Sequence, residues 1–159
     1  MSAIVRSGPT QARPSLWRRL ASAGYDLLLV TALLMMLTGL VLAARAGRPF
    51  DPQSIWFRLL LLVGWWAYFT WSWTHGGQTV GMRAWRLVLV RPDGTGASLG
   101  QASLRFAAAF VSTLALGLGF LWCLVDRRRL TWHDRLSGTE LALRSGSAKP
   151  EHGERGDDE

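Results

Sequence analysis

One carboxylate decides how this chain must be read. Asp26 sits at the mouth of the first apolar run, where Trp17-Arg18-Arg19-Leu20-Ala21-Ser22-Ala23-Gly24-Tyr25-Asp26 gives way to an uncharged stretch from Leu27 to Ala44. Arg19 lies close to two helical turns earlier, so the two side chains share one helical face, about 10 Å apart along the axis. With Arg19 at a membrane surface, Asp26 is inside. A carboxylate there costs about 3 kcal/mol unless it is paired or wet, and so marks a candidate functional site.

Three windows carry the membrane expectation. Leu20 to Leu42 holds Asp26 as its only charge, Ile55 to Trp73 holds Arg58 near its start, and Phe106 to Val125 holds no charge. Each is near the roughly 20 residues that a spanning helix requires. The chain has nine Trp, and Trp56, Trp71 and Trp73 fall at the ends of the second window, where an interfacial belt belongs. A soluble helical core is disfavoured because 159 residues cannot wrap three segments that are hydrophobic all round. Ala44-Arg45-Ala46 resembles a signal-cleavage site, but the run before it is too long for a signal core and already contains Asp26.

The net charge of +7 comes almost wholly from Arg. In a soluble protein it would point to nucleic acid; beside apolar segments it is a topology signal and a contact for anionic lipid, and no nucleic-acid partner is expected. Two crossings, with the third window returning to the side from which it came, divide the Lys and Arg residues fifteen to three; three crossings divide them almost evenly. The positive-inside rule therefore favours a multi-pass protein with its N-terminus in the cytoplasm and an even number of crossings. Gly117 and Gly119 supply the place for a sharp turn. Length alone still allows one spanning helix over 106–125.

Two short stretches read as strands, Trp85 to Val90 and Thr139 to Leu143, the first closed by the turn Arg91-Pro92-Asp93-Gly94. They pair only if they lie on one side of the bilayer, which again needs a returning segment. The expected fold is an all-α membrane protein: two transmembrane helices, a third apolar segment that bends back or spans, and a small cytoplasmic strand pair. A membrane domain covers 15–144, between polar, disordered tails at 1–14 and 145–159.

No constellation of catalytic residues or metal ligands emerges, and neither enzyme activity nor a cofactor is expected. The single Cys123 lies in the third window, and His75, His133 and His152 are scattered. Gly76-Gly77-Gln78-Thr79-Val80-Gly81-Met82-Arg83 has phosphate-loop spacing but lacks the Lys-Ser/Thr step and a preceding strand. It reads instead as a cytoplasmic turn built on Gly77 and Gly81, with Arg83 and Arg86 near headgroups. His133-Asp134 reads as a structural turn, since adjacent side chains diverge and no nucleophile is placed beside them. Ala109, Thr113 and Gly117 form a small-residue ridge suited to helix packing.

Four motifs in order now carry a resemblance. They are Trp-Arg-Arg-Leu-Ala-x3-Asp opening the first helix, Gly77-Gln78-Thr79-x-Gly81-x-Arg83, Ser98-Leu99-Gly100-Gln101-Ala102-x2-Leu104-Arg105, and Asp126-x-Arg128-Arg129-x-Thr131-x-His133-Asp134-x-Leu136-x-Gly138-Thr139. Together, over about 15–144, the chain resembles the RDD family of small bacterial membrane proteins. The resemblance implies that Arg19 is the family arginine, Asp26 its first aspartate, and Asp134, or else Asp126, its second. It further implies a part in transport of unidentified ligands or in cation/proton exchange. There Asp26 is the protonatable group, Arg19 or Arg105 its counter-charge, and an oligomer the working unit. A non-catalytic adaptor that assembles with other membrane proteins is the alternative, with Asp26 as a helix clamp. Met82, Trp85-Arg86 and Glu140 depart from the family pattern.

Overall fold

The computed structural model describes residues 14–46, 48, 51, 54–128 and 130–144. The tails expected to be disordered fall outside the described residues, apart from Pro14. Helix α1 is Leu16–Ala44, α2 Ile55–His75, α3 Val80–Ala84, α4 Leu99–Leu114, α5 Leu118–Val125 and α6 Trp132–Ser137; strands β1 and β2 are Leu87–Val90 and Glu140–Leu143. Among the described residues the chain is mostly helical, with one small two-stranded sheet.

Helix α1 is built inside out. Its buried residues are Arg19, Ser22, Asp26 and Val30, a single inward stripe in which three of four members are polar. Leu28, Met35, Met36 and Leu40 are exposed. Among the described residues α1 is the one helix long and apolar enough by itself to cross a bilayer, and the bent pair α4 and α5 is a second candidate if it counts as one span. An apolar surface around a polar inner stripe suits lipid as the solvent, because lipid offers apolar side chains no reason to hide. Helix α2 runs antiparallel to α1, with Gly64 passing beside Leu34 and Leu37.

The third apolar window is broken rather than continuous. Helices α4 and α5 meet at 97°, and the break lies at Ala115 to Gly117, where Leu116 and Gly117 both take positive φ. Of the two glycines expected to make the bend, only Gly117 does so. Gly119 lies within α5, and a Cβ there would stand 2.3 Å from the Ser112 hydroxyl, so its role is to let α5 close on α4. The ridge expected at Ala109, Thr113 and Gly117 is displaced by one helix position. The buried stripe of α4 is Ala102, Arg105, Ala108 and Ser112.

The expected strands are found, shortened at their starts, and pair antiparallel with Leu87 opposite Leu143 and Val90 opposite Glu140. Trp85 and Arg86 form a turn instead of extending β1, with Arg86 at φ 55°. All four residues of β1 are buried, so both faces of the strand are covered. Leu87 and Leu89 join Trp73, Met82, Ala97 and Ala102 in the main core, and Val88 and Val90 form a second patch with Ala142. Trp56 and Trp71 are exposed as an interfacial belt requires, whereas Trp73 is buried core. The chain enters α4 from β1 and returns through α6 to β2, so both ends of the bent pair meet at one sheet.

Candidate functional site

Two polar nodes tie the helices together, and each uses one of the expected aspartates. At the first, Asp26 accepts hydrogen bonds from the Tyr68 hydroxyl of α2 at 2.9 Å, the Gly81 amide of α3 at 2.9 Å and the Thr79 hydroxyl at 2.5 Å. This node completes the start of α3, since the first amides of a helix have no partner within it. Val80 donates to the Tyr68 oxygen, Gly81 to Asp26, and Met82 to the Thr79 oxygen.

The glycine motif acquires a residue-by-residue account. Gly77 holds φ 64° in the turn. Gln78 donates its side-chain amide to the Leu87 carbonyl and accepts from Arg144, which links the turn to both strands. Thr79 caps α3 while donating to Asp26. Gly81 lies in α3 rather than in the turn, and a Cβ there would stand 2.2 Å from the Ser22 carbonyl of α1. The guanidinium of Arg83 lies beside Gly76.

The second node is Asp134 in α6. Arg19 of α1 and Arg105 of α4 each bind one of its oxygens at 2.7 Å, and all three side chains are at most 4% exposed. The carboxylate also accepts from the Thr131 amide, and the Thr131 hydroxyl accepts from the Asp134 amide, a reciprocal capping box. Arg105 reaches the Thr139 hydroxyl at 3.0 Å and lies over the Trp73 ring. Burial alone would raise the Asp134 carboxyl, but Arg105 above all, and Arg19 with it, hold it well below the usual carboxylate range. Burial, then the Arg105 charge, push the neighbouring His133 down to about 3.

These contacts correct one expectation. Neither Arg19 nor Arg105 forms the ion pair expected for Asp26. Both pair with Asp134, and Asp26 is satisfied by neutral donors. Asp126, the other choice for the second family aspartate, closes the loop after α5 by accepting from the Leu130 amide and pairing with the exposed Arg135. Sequence reasoning also missed Tyr68, the role of Thr79 as helix cap and donor to Asp26, and the capping boxes at Ser98/Gln101 and Thr131/Asp134. The Ser/Thr-x-x-acceptor spacing ahead of each helix was the available signal.

Between α1, α2 and α4 a crevice of about 330 Å³ joins the two nodes. Arg19, Asp26, Thr79, Arg105 and His133 contribute its polar lining, and Trp65, Phe69, Phe106 and Phe110 its aromatic lining. Trp65 stands edge-on to both Phe106 and Phe110, fixing the wall between α2 and α4.

The model of the RDD family matches residues 13–138, most of the chain and both nodes. The protein belongs to the RDD family. Membership and the apolar helices together point to a membrane protein. In this RDD protein Arg19 and Asp134 are direct partners across the fold, and Asp26 organises the glycine motif. Neither a curated protein nor a solved structure matches the chain.

Proposed function

We propose that this RDD protein is a multi-pass protein of the bacterial plasma membrane that binds a small ligand in the crevice between α1, α2 and α4. In this reading it is the non-enzymatic binding part of a transport assembly. The observation that supports it most is a crevice that joins apolar walls to two buried charged nodes within helices that otherwise face lipid. In this reading α1 crosses the bilayer, α2, less apolar than α1 but ended by the exposed Trp56 and Trp71, crosses beside it, and α4 and α5 enter and return. The N-terminus, the sheet and α6 then lie in the cytoplasm, which agrees with the fifteen-to-three charge division. So few spans enclose no pathway, so transport requires an oligomer.

Native mass spectrometry of the purified full-length protein tests the binding reading. Wild type carries a bound non-protein mass that Thr113→Trp, which fills the crevice mouth, loses. A wild type without bound mass, or a variant that keeps it, contradicts the reading. Proteoliposome flux driven by a sodium or potassium gradient and followed by a pH-sensitive dye tests cation/proton exchange.

A second reading, a membrane adaptor, is favoured by one observation. All donors around Asp26 are already engaged within the fold, which suits a helix clamp better than a carrier of protons. The adaptor predicts no flux in wild type and loss of co-purifying membrane proteins on Asp26→Asn.

A further inference from the structure

Three buried polar atoms beside the crevice lack a hydrogen-bond partner among the described residues: Arg19 Nη2, Trp73 Nε1 and His133 Nδ1. All three side chains line the same cavity. An unpaired buried polar atom costs about 1–3 kcal/mol, so three of them on side chains that line one cavity favour a partner in that cavity, which a small side-chain shift would bring into reach. Arginine and tryptophan can only donate, so the missing group accepts.

Charge sharpens the choice. Arg19 and Arg105 share the single carboxylate of Asp134, which leaves that junction with one positive charge in excess. Asp26 also lines the crevice and keeps its negative charge, but it belongs to the other node, where its oxygens are occupied by Tyr68, Thr79 and Gly81. An oxyanion at the Arg19 junction is the acceptor that also balances the local excess there. The rest of the wall asks for hydrocarbon, since Trp65, Phe69, Phe106, Phe110, Leu20 and Leu27 present apolar surface along α1, α2 and α4.

We propose that the crevice binds an anionic amphiphile, with a carboxylate or phosphate head at the Arg19, Trp73 and His133 end and a hydrocarbon chain along the aromatic wall. The inference rests on the crevice being a ligand site and names its chemistry.

Binding of radiolabelled dodecyl phosphate to the full-length protein in maltoside micelles tests it. Dodecanoate is the second anionic arm, and inorganic phosphate and dodecanol lack the chain and the charge respectively. Dodecyl phosphate or dodecanoate binds at least tenfold more tightly than either control, and which of the two is tighter separates a phosphate-bearing lipid from a free fatty acid. Thr113→Trp weakens binding at least tenfold while leaving the melting temperature and the ion cluster intact. Arg19→Gln weakens the anions but not dodecanol. Equal affinity for dodecanol or for inorganic phosphate, or undiminished binding by Thr113→Trp, overturns the proposal. A bound mass that Thr113→Trp removes, together with no affinity for either dodecyl anion, rejects the amphiphile and keeps the crevice as a ligand site. Absence of both rejects the two readings together.

Discussion

Arg19 and Asp134 stand 115 positions apart and meet at 2.7 Å, both shielded from solvent. With Arg105 as the second cation they clamp α1 and α4 to α6. A buried pair adds little over a well-packed apolar substitute, but removing one partner strands the others. Asp134→Asn leaves two buried guanidiniums facing a neutral amide and should cost about 3–5 kcal/mol. Thermal unfolding in detergent measures it. Asp126→Asn, whose partner Arg135 is exposed, should lower the melting temperature far less.

Gly81 is the place where α3 touches the α1 backbone. An added methyl would meet the Ser22 carbonyl at 2.2 Å and the Asp26 carboxylate at 2.8 Å, and a carbonyl within a helix has little room to yield. Gly81→Ala should therefore cost about 3 kcal/mol or more, at the upper end of overpacking. Gly24 of α1 has open space around its missing side chain. Gly24→Ala should show no loss, and a comparable drop for both variants would refute the close-approach account.

How much of this was legible in the sequence follows from the range of the interactions involved. The apolar helical segments, the strands and their pairing were readable because hydropathy and turn residues act over a few positions, whereas the short helices α3 and α6 were read as turns, at Gly76 to Arg83 and at His133-Asp134. The inward stripe of α1 followed from the spacing of Arg19 and Asp26, which both face the interior. The choice of partner was not readable. One arginine beside one aspartate on the same helix face suggests a pair, yet two arginines on separate helices converge on Asp134 because α6 returns to α4 after the bend. The exchange of Gly119 from turn former to contact residue has the same origin, since only the 97° break brings it against Ser112. Trp73 illustrates the limit of belt statistics: its position fits an interface, but the sheet covers it.

Asp26→Asn tests the first node. All three groups around the carboxylate donate, and an amide replaces one acceptor oxygen with a donor. One donor must then face another. A loss of about 1–3 kcal/mol is expected, together with faster proteolysis between Gly77 and Trp85. Unchanged stability would mean that Asp26 does not organise the start of α3.

Acid should unfold this protein in two overlapping stages. In an unfolded chain a histidine takes its proton near 6.5, whereas His133 in the fold takes it only near about 3. Between those values the unfolded state binds the extra proton, so stability falls with falling pH by about 1.4 kcal/mol per unit. Asp134, held low by Arg105 and Arg19, adds stability that is present above the ordinary carboxylate range and is lost as pH falls below it. Melting temperatures from pH 7 to 4 should decline, and His133→Gln should flatten the decline above pH 4.5. A wild-type profile that is flat from pH 6.5 to 4.5 would contradict the burial of His133.

The account depends most on α4 and α5 returning to the side from which they came, because only then do β1 and β2 pair, and Arg19, Arg105 and Asp134 meet, on one face of the bilayer. Cysteine accessibility labelling of the full-length protein in a Cys123→Ser background measures this directly, with single cysteines at Ser15, Gly96, Leu116 and Ser145. The account predicts that Ser15, Gly96 and Ser145 label from the cytoplasmic side, and that Leu116 resists a membrane-impermeant reagent added on that side. Labelling of Ser145 from the opposite side, with Ser15 still cytoplasmic, would contradict it.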